Sequence, residues 1–231
     1  MSRSALTTGL QSLGLTLSPA QQAGLLEYLD LLQKWNRVYN LTALRQPHEM
    51  LTHHLFDSLA ALAPLLRQTG GRPLRLLDVG SGGGLPGVVI AIACAQTDVT
   101  CVDAVAKKAA FIQQAASTLG LTNLHGLHAR VESLRPDEGA GFDLVCSRAF
   151  AALPDFVTWS RAALNPGAVW LAMKGKYPAD ELQALAAAAP WVEVFHVEQV
   201  QVPGLDAQRC LVWLRERASA ASIPAADIAR A

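Results

Sequence analysis

A cluster of glycines directly after a short apolar run constrains the fold of this chain more than any other feature. Leu74–Val79 has the length and character of a buried β-strand, and five glycines follow it, at positions 80, 82, 83, 84 and 87. An apolar run of helical length, 88–95, comes next. Glycine lets the backbone turn tightly and lets a ligand approach more closely than a Cβ atom would permit. The order strand, glycine-rich turn, helix predicts the opening unit of an α/β fold with a nucleotide-type site.

Two kinds of ligand fit this turn. Gly82, Gly84 and Gly87 match the G-x-G-x-x-G spacing of dinucleotide sites, which by itself is a weak signal. The carboxylate of Asp78, just before the glycines, suits a ligand with cationic groups better than a pyrophosphate, because like charges repel. S-adenosylmethionine carries an ammonium and a sulfonium, and the order acidic-x-Gly-x-Gly-x-Gly resembles motif I of class I methyltransferases. We therefore favour S-adenosylmethionine over a nicotinamide cofactor.

A second acidic residue, Asp103, ends the next expected strand, about 20 residues beyond the glycines. A carboxylate at this spacing can accept hydrogen bonds from ribose hydroxyls. Both candidate cofactors contain ribose, so Asp103 does not separate them, and a solvated strand end is the plainer alternative. Further on, 129–132 is expected to close a third strand, where methyltransferases commonly contact adenine.

The rest of the chain alternates between strand-like and helical patterns. Strands are expected near 74–79, 98–103, 124–131, 142–147 and 168–173, and helices near 86–95, 105–119, 153–164 and 178–188. Two further extended runs, 192–200 and 209–215, could form an antiparallel hairpin at the end of the sheet. Before the sheet, Ser18-Pro19 and Pro47 are expected to open two helices. We expect a helical extension over 1–72, a main domain over 73–217 and a frayed tail over 218–231.

Composition narrows the class of protein. With 231 residues, 51% of them hydrophobic and 16% charged, the chain is long and apolar enough to bury a sizeable core. It contains no run of about 18 apolar residues and no basic-then-apolar leader, so we expect a cytoplasmic protein without a membrane span. The four cysteines lie in apolar runs without C-x-x-C spacing, which favours buried thiols over a metal site. The zero net charge neither requires nor excludes nucleic acid, because a local basic patch decides that.

Several motifs outside the glycine turn form a specific set. The segments are W-N-x-x-x-N-L-T from Trp35, H-x-x-D-S-L from His54, S-R-A from Ser147, and Met-Lys-Gly from Met173. With the glycine turn, this set closely resembles the bacterial glucose-inhibited division protein B family over about residues 25–215. Proteins of that family are 16S rRNA guanine-N7 methyltransferases. The resemblance implies an α/β fold of the class I (Rossmann-like) S-adenosylmethionine-dependent kind, with a mostly parallel seven-stranded sheet.

The resemblance also implies a target and a set of contacts. The target is a guanine of the 530 loop, at about nucleotide 527, in 16S rRNA or the small ribosomal subunit. The implied cofactor contacts are Gly80, Leu85, Val131, Glu132 and Arg148. Two departures from the usual family pattern, Gly83-Gly84-Leu85 for Ala-Gly-Phe and Ala104 for Ser, keep a tight turn and an apolar wall.

Together these arguments give one predicted site. The expected cofactor-binding residues are Asp78, Gly80, Gly82, Gly84, Leu85, Asp103, Val131, Glu132 and Arg148. We expect Arg148 and Lys174, both at strand ends, to position the reacting groups. Guanine N7 has a free lone pair and no proton to lose, so no general base is expected. We also expect no metal, and a monomer.

Alternatives remain at the level of sequence. A non-catalytic ribosome-binding factor or a small-molecule methyltransferase would share much of this pattern. Trp35 and Tyr39 are more typical of a core than of RNA stacking, and His54 of a satisfied core histidine. Asp57 and Ser58 are expected to hold their helix against the sheet. Lys34, Arg37 and Arg45, in the helical extension, are candidates for holding RNA.

Overall fold

The computed structural model describes residues 3–137 and 140–218. The predicted tail, apart from residue 218, lies outside the described residues. Within the described ranges, no helix is both long enough and apolar enough to cross a membrane.

Helices dominate residues 3–72, as predicted. The helices are α1 (Arg3–Ser12), α2 (Pro19–Tyr39), α3 (Pro47–Met50), a π-helix (Leu51–Phe56), α4 (Asp57–Leu59) and α5 (Leu62–Thr69). Ser18 caps α2 by accepting a hydrogen bond from the Gln21 N–H, and the Gln21 side chain bonds back to the Ser18 N–H. This reciprocal cap, with Pro19 in the first turn, confirms the predicted start of α2.

The helix that begins at Pro47 is less regular than the predicted α-helix. It passes through a π-helical segment, Leu51–Phe56, before ending at Leu59, and Leu62 belongs to the next helix. Hydrogen bonds of the i→i+5 kind make this segment wider than a regular α-helix. Such segments are frequent at functional sites.

In the part of the chain that the structure describes, seven strands form one sheet. They are β1 (Leu74–Val79), β2 (Thr97–Asp103), β3 (Leu124–His128), β4 (Phe142–Arg148), β5 (Leu164–Lys174), β6 (Val192–Val200) and β7 (Arg209–Glu216), in the spatial order β3-β2-β1-β4-β5-β7-β6. Strands β1 to β5 are mutually parallel, and β7 runs antiparallel to both β5 and β6. The mostly parallel sheet and its terminal hairpin confirm the prediction.

Among the described residues, four α-helices connect the strands: α6 (Gly87–Ala93), α7 (Ala106–Leu119), α8 (Leu153–Ser160) and α9 (Ala179–Ala188). The predicted third strand was too long. β3 ends at His128, and Val131–Ser133 forms a 3-10 turn in which the Ser133 N–H bonds to the Arg130 carbonyl. Val131 and Glu132 therefore lie in a turn beyond the strand end.

Apolar residues of the parallel strands alternate between two cores, because successive side chains point to opposite faces of a sheet. Leu76, Val99 and Leu144 pack in the larger core with the N-terminal helices, α6 and α7. Leu77, Val102 and Val145 pack in the smaller core with α8 and α9. The strand order reverses between β1 and β4. Ligand sites of open α/β sheets lie at the carboxyl ends of strands beside such a switch point.

Candidate functional site

The turn between β1 and α6 is built on glycines with left-handed backbone. Gly80, Gly82 and Gly84 have φ of 66°, 58° and 89°. A Cβ atom on Gly84 would lie 2.3 Å from Val88 Cγ2 and 2.6 Å from Ile112 Cδ1, so this glycine permits helix packing. At Gly82 the nearest atom would be the Gly80 carbonyl oxygen, 4.0 Å away. Gly82 therefore faces open space where a ligand can approach the backbone.

Asp103 holds this turn from the end of β2. Its Oδ2 accepts a hydrogen bond from the Gly82 N–H at 3.0 Å, and its Oδ1 accepts one from the Val105 N–H at 2.9 Å. Lys108 Nζ lies 3.5 Å from Oδ2. Each carboxylate oxygen can accept a further donor. Asp103 thus orders the glycine turn and keeps acceptor capacity toward the adjoining cavity.

Two cavities flank the glycine turn. The larger, about 450 Å³, is here called the His54 cavity, and its lining residues are Leu41, Thr42, His53, His54, Asp57, Ser81, Gly82, Gly83, Leu85, Arg148, Ala149, Met173, Lys174, Gly175 and Arg209. The smaller, about 340 Å³, is here called the Asp103 cavity, and its lining residues are Val79, Gly80, Val102, Asp103, Ala104, Lys108, Ala129, Arg130, Val131, Glu132, Ala149, Phe150 and Trp159. They meet at Ala149, whose φ of 53° is unusual for a residue with a Cβ atom.

The structure brings most of the predicted site residues to these cavities. Gly80, Asp103, Val131 and Glu132 line the Asp103 cavity. Gly82, Leu85, Arg148 and Lys174 line the His54 cavity. Gly84 and Asp78 line neither of them, since Gly84 is packed under α6 and α7 and Asp78 is fully buried.

Asp78 lies beneath the glycine turn and holds it from below. Its Oδ2 accepts a hydrogen bond from the Gly87 N–H at 2.9 Å, and the thiol of Cys101 lies 3.9 Å from the same oxygen. Burial raises the pKa of Asp78 from 3.8 to about 7, against the opposing effects of the Gly87 N–H and of Arg148. In this position Asp78 supports the turn rather than facing either cavity.

Both predicted cationic residues already have partners within the chain. Arg148 Nη1 donates to the His53 carbonyl at 2.8 Å and to Asp57 Oδ2 at 2.9 Å. Lys174 Nζ donates to the Ala151 carbonyl at 3.0 Å and to Glu181 Oε2 at 2.7 Å. These contacts fix the two side chains at the carboxyl ends of β4 and β5, where they line the His54 cavity.

His54 is a buried, neutral group in the cavity wall. Its Nε2 lies 2.8 Å from Thr42 Oγ1, and its Nδ1 lies 3.5 Å from Arg148 Nη2. Burial, followed by the nearby charge of Arg148, lowers the pKa of His54 from 6.5 to about 4. At neutral pH the ring therefore carries no charge and supports the loop that contains Thr42.

The lining residues that were not in the predicted site include two pairs of side chains in contact with each other. Asp57 and Arg209 line the His54 cavity and form an ion pair with each other. Phe150 and Trp159 line the Asp103 cavity and pack edge to face, with ring centroids 5.9 Å apart. The H-x-x-D-S-L segment contains Asp57 but does not reveal its partners. Arg209 is 152 residues away along the chain, and no local pattern connects the two.

Phe150 also explains why position 80 is glycine. A Cβ atom on Gly80 would lie 2.4 Å from Phe150 Cδ2. The bare glycine lets the ring lie against the turn, where with Val131 it forms an apolar wall of the Asp103 cavity. Among the residues that the structure describes, no group of three or more His, Cys, Asp or Glu side chains could hold a metal ion.

Helix α2 contacts the glycine turn from the side of the N-terminal extension. The Tyr28 hydroxyl donates to the Gly83 carbonyl at 2.6 Å, and a Cβ atom on Gly83 would lie 2.9 Å from Leu32 Cδ1. Tyr28 and Leu32 are both fully buried. Trp35 packs on Phe111 of α7, whereas Tyr39 is 39% exposed, so the expectation of a core position is wrong for Tyr39.

A family model and two known proteins match this chain along most of its length. The model of the family GidB, described as rRNA small subunit methyltransferase G, matches residues 21–212. The protein named ribosomal RNA small subunit methyltransferase G of Acidovorax sp. (strain JS42) is 64% identical over 219 residues, which cover 91% of this chain and 94% of that protein. The protein of the same name from Paracidovorax citrulli is 61% identical over 226 residues, which cover 93% of this chain and 90% of that protein.

Solved structures with a similar fold are more distant in sequence. A SAM-dependent methyltransferase from Aquifex aeolicus superposes with a TM-score of 0.54 at 16% identity, over 80% of this chain and 97% of that one. The 1,6-didemethyltoxoflavin-N1-methyltransferase of Burkholderia thailandensis, solved with S-adenosylhomocysteine, also gives 0.54 at 16% identity, over 88% of this chain and 92% of that one. At this identity the likeness concerns the fold alone.

Proposed function

The chain belongs to the GidB family of small-subunit rRNA methyltransferases, and from that membership we propose that it methylates N7 of a guanine in 16S rRNA. The methyl donor of the family is S-adenosylmethionine. The proposed target is the guanine at about nucleotide 527 in the 530 loop, as the motif set implies. We place the reaction in the cytoplasm, with the small ribosomal subunit or its RNA as partner.

The residues around the glycine turn fit this cofactor. Gly82 leaves its backbone open on the cavity side, and Asp103 keeps acceptor capacity for ribose hydroxyls. Val131 and Phe150 form an apolar wall on which a purine can lie. We therefore assign the nucleoside end of the cofactor to the Asp103 cavity, and the methionine end with the acceptor guanine to the His54 cavity. The two cavities flank the glycine turn and share Ala149, and this arrangement is the observation that carries the assignment.

The chemistry demands position more than proton transfer. When bound, S-adenosylmethionine supplies a methyl group on a sulfonium. The lone pair of guanine N7 forms the new C–N bond in line with the breaking C–S bond, whose electrons return to sulfur. Positive charge thereby passes to the methylated purine, and no proton moves. A neutral His54 and ion-paired Arg148 and Lys174 agree with a wall that orients the reactants without acting as a base.

The rim of the His54 cavity offers a surface for RNA. The loop after α2 contains Leu41 and Thr42 of that cavity. Arg37, Tyr39 and Arg45 are exposed beside it. Arginines can contact phosphates and an exposed aromatic ring can stack on an unpaired base. We propose that this rim, with Lys34, holds the RNA while the target guanine enters the cavity.

A substrate with one altered atom tests the acceptor position. In 16S rRNA carrying 7-deazaguanosine at about nucleotide 527, the acceptor N7 is replaced by C–H, so methyl transfer should be abolished. The same replacement at a neighbouring guanine is the matched control and should leave transfer intact. Full transfer to the first substrate would refute the proposed acceptor. Binding of RNA without any methyl transfer would instead favour a non-catalytic ribosome-binding factor, and tight NAD binding without S-adenosylmethionine binding would refute the cofactor.

A further inference from the structure

One buried carboxylate joins two arginines on the wall of the His54 cavity. Asp57 Oδ2 accepts from Arg148 Nη1 at 2.9 Å, and Asp57 Oδ1 accepts from Arg209 Nε. The Asp57 side chain is only 6% exposed, and those of Arg148 and Arg209 are 19% and 23% exposed. All three residues line the cavity, so this cluster, here called the Asp57 cluster, is part of its surface.

Three separate parts of the chain build the Asp57 cluster. Asp57 follows the π-helix of the N-terminal extension, Arg148 ends β4, and Arg209 begins β7. The N-terminal extension contacts Arg148 twice, through the Asp57 carboxylate and through the His53 carbonyl of the π-helix. These contacts hold the guanidinium groups of Arg148 and Arg209 in place without a bound ligand.

The charge balance of the cavity depends on Asp57. Of the described residues that line it, Asp57 is the one carboxylate, whereas Arg148, Lys174 and Arg209 are cations. Lys174 is paired with Glu181, and His54 is neutral at physiological pH. The Asp57 cluster therefore carries one net positive charge instead of two.

A cationic ligand makes this balance important. The proposed reaction begins with a sulfonium and ends with a cationic purine, and each unpaired cation nearby opposes both states. We propose that Asp57 is a positioning residue that fixes Arg148 and Arg209 on the cavity wall and offsets their charge, so that a cationic methyl donor binds beside them. This inference rests on the proposed function, because it requires S-adenosylmethionine as the ligand.

Comparing the binding of S-adenosylmethionine with that of S-adenosylhomocysteine isolates the charge effect. The second ligand lacks the methyl group and the sulfonium charge but is otherwise the same. The quantity compared is the dissociation constant of S-adenosylmethionine divided by that of S-adenosylhomocysteine. In Asp57→Asn this ratio should rise by about three- to tenfold. In Arg209→Gln, which removes a cation and leaves the pair of Asp57 with Arg148, the ratio should fall by about twofold or more. If Asp57 had a merely structural role, its replacement would weaken the binding of both ligands equally and leave the ratio unchanged.

The same chemical changes elsewhere serve as controls. Asp98→Asn and Arg215→Gln alter exposed polar contacts, with His125 and Glu193 respectively, outside both cavities. These variants should keep the wild-type ratio. Calorimetry provides the dissociation constants, and thermal unfolding checks the fold of each variant.

Each result decides the matter. Opposite shifts of the ratio in Asp57→Asn and Arg209→Gln support the proposal, and an unchanged ratio in Arg209→Gln overturns it. Should Asp57→Asn fail to fold, Arg209→Gln decides alone. The measurement uses no RNA, so it is independent of the acceptor position. Methylation of guanine N7 with an unchanged ratio would refute the role of Asp57 and not the proposed function.

Discussion

Gly82 and Gly120 have nearly the same left-handed backbone, with φ of 58° and 63°, but of the two only Gly82 lines the His54 cavity. An alanine at either position would cost about 1 kcal/mol in backbone strain. Neither Cβ atom would meet an atom closer than 4.0 Å. We therefore expect Gly82→Ala and Gly120→Ala to lose similar stability.

Cofactor binding should separate these two variants. The methyl group at position 82 occupies space that a bound ligand needs, so the dissociation constant of S-adenosylmethionine should rise by about tenfold or more. Gly120→Ala, at the end of α7, should bind normally. Calorimetry and thermal unfolding of both proteins give the result. Equal affinities would place the ligand away from Gly82.

His54 should contribute no pH dependence to methyl transfer near neutrality. Its pKa, lowered to about 4 by burial, keeps the ring neutral across about pH 6.5–8.5. The single-turnover rates of wild type and His54→Gln should therefore follow superimposable pH profiles. An inflection that His54→Gln removes would make this histidine an acid or base. An inflection near pH 7 that persists in His54→Gln and disappears in Asp78→Asn would belong to Asp78.

At the scale of elements, α2 and the glycine turn form one unit. The Tyr28 hydroxyl is the donor to the buried Gly83 carbonyl, at 2.6 Å. Tyr28→Phe removes that donor without changing the ring, which should cost about 1–3 kcal/mol of unfolding free energy. Because Gly83 lies within the turn, the affinity for S-adenosylmethionine should also fall.

Tyr39→Phe is the control for this change. It removes a hydroxyl from the same helix at an exposed position, so both stability and affinity should stay at the wild-type level. Urea unfolding and calorimetry measure the two quantities. If Tyr28→Phe lowered stability and left affinity intact, the turn would keep its shape without α2.

The same elements indicate what the sequence could predict. The cap at Ser18, the glycine turn and the final hairpin depend on residues close together in the chain, and all three were predicted. The length of β3 was not, because an edge strand ends where its neighbour stops offering partners. The Ala129 N–H bonds to the Asp103 carbonyl, beyond which β2 does not continue.

Contacts between segments that are far apart in the chain could not be predicted from local sequence patterns. The position of Asp78 at a strand end suggested a ligand contact, but its side chain turns under the loop to the Gly87 N–H. Likewise, the pairing of Asp57 with Arg209 depends on how β7 is placed in the sheet. Periodicity identifies elements, whereas the tertiary fold decides which side chains meet.

At the scale of the whole molecule, the N-terminal helices and the sheet share one core. Leu29 of α2 and Leu59 of α4 belong to the same apolar cluster as Leu76 of β1 and Val99 of β2. The predicted boundary near residue 72 thus lies between parts that bury apolar surface against each other. We propose that the helical extension folds together with the methyltransferase domain.

The stability of this shared fold depends on pH through the buried carboxyl group of Asp78. Its pKa is about 7 in the folded protein and 3.8 when solvated, because burial penalises the charged form. The pKa of Asp78 is therefore higher in the folded protein than in the unfolded chain. Below about pH 4 the carboxyl group is protonated in both states, so its burial costs no stability there. Stability is then lost as pH rises from about 4 to about 7 and stays low above that. The full penalty, at about 1.4 kcal/mol per pKa unit, is on the order of 4 kcal/mol.

Asp78→Asn removes the charge and keeps a carbonyl oxygen for the Gly87 N–H. We expect its unfolding free energy to exceed that of wild type at pH 8, by at least about 1 kcal/mol and by no more than the full penalty. The gain should shrink steadily as pH falls through 7 toward 4, since wild-type Asp78 then becomes neutral as well. Urea unfolding at pH 8, 6.5 and 5 measures this trend. A gain that is independent of pH would mean that the amide packs better, and a loss at pH 8 would mean that the folded protein stabilises the Asp78 carboxylate.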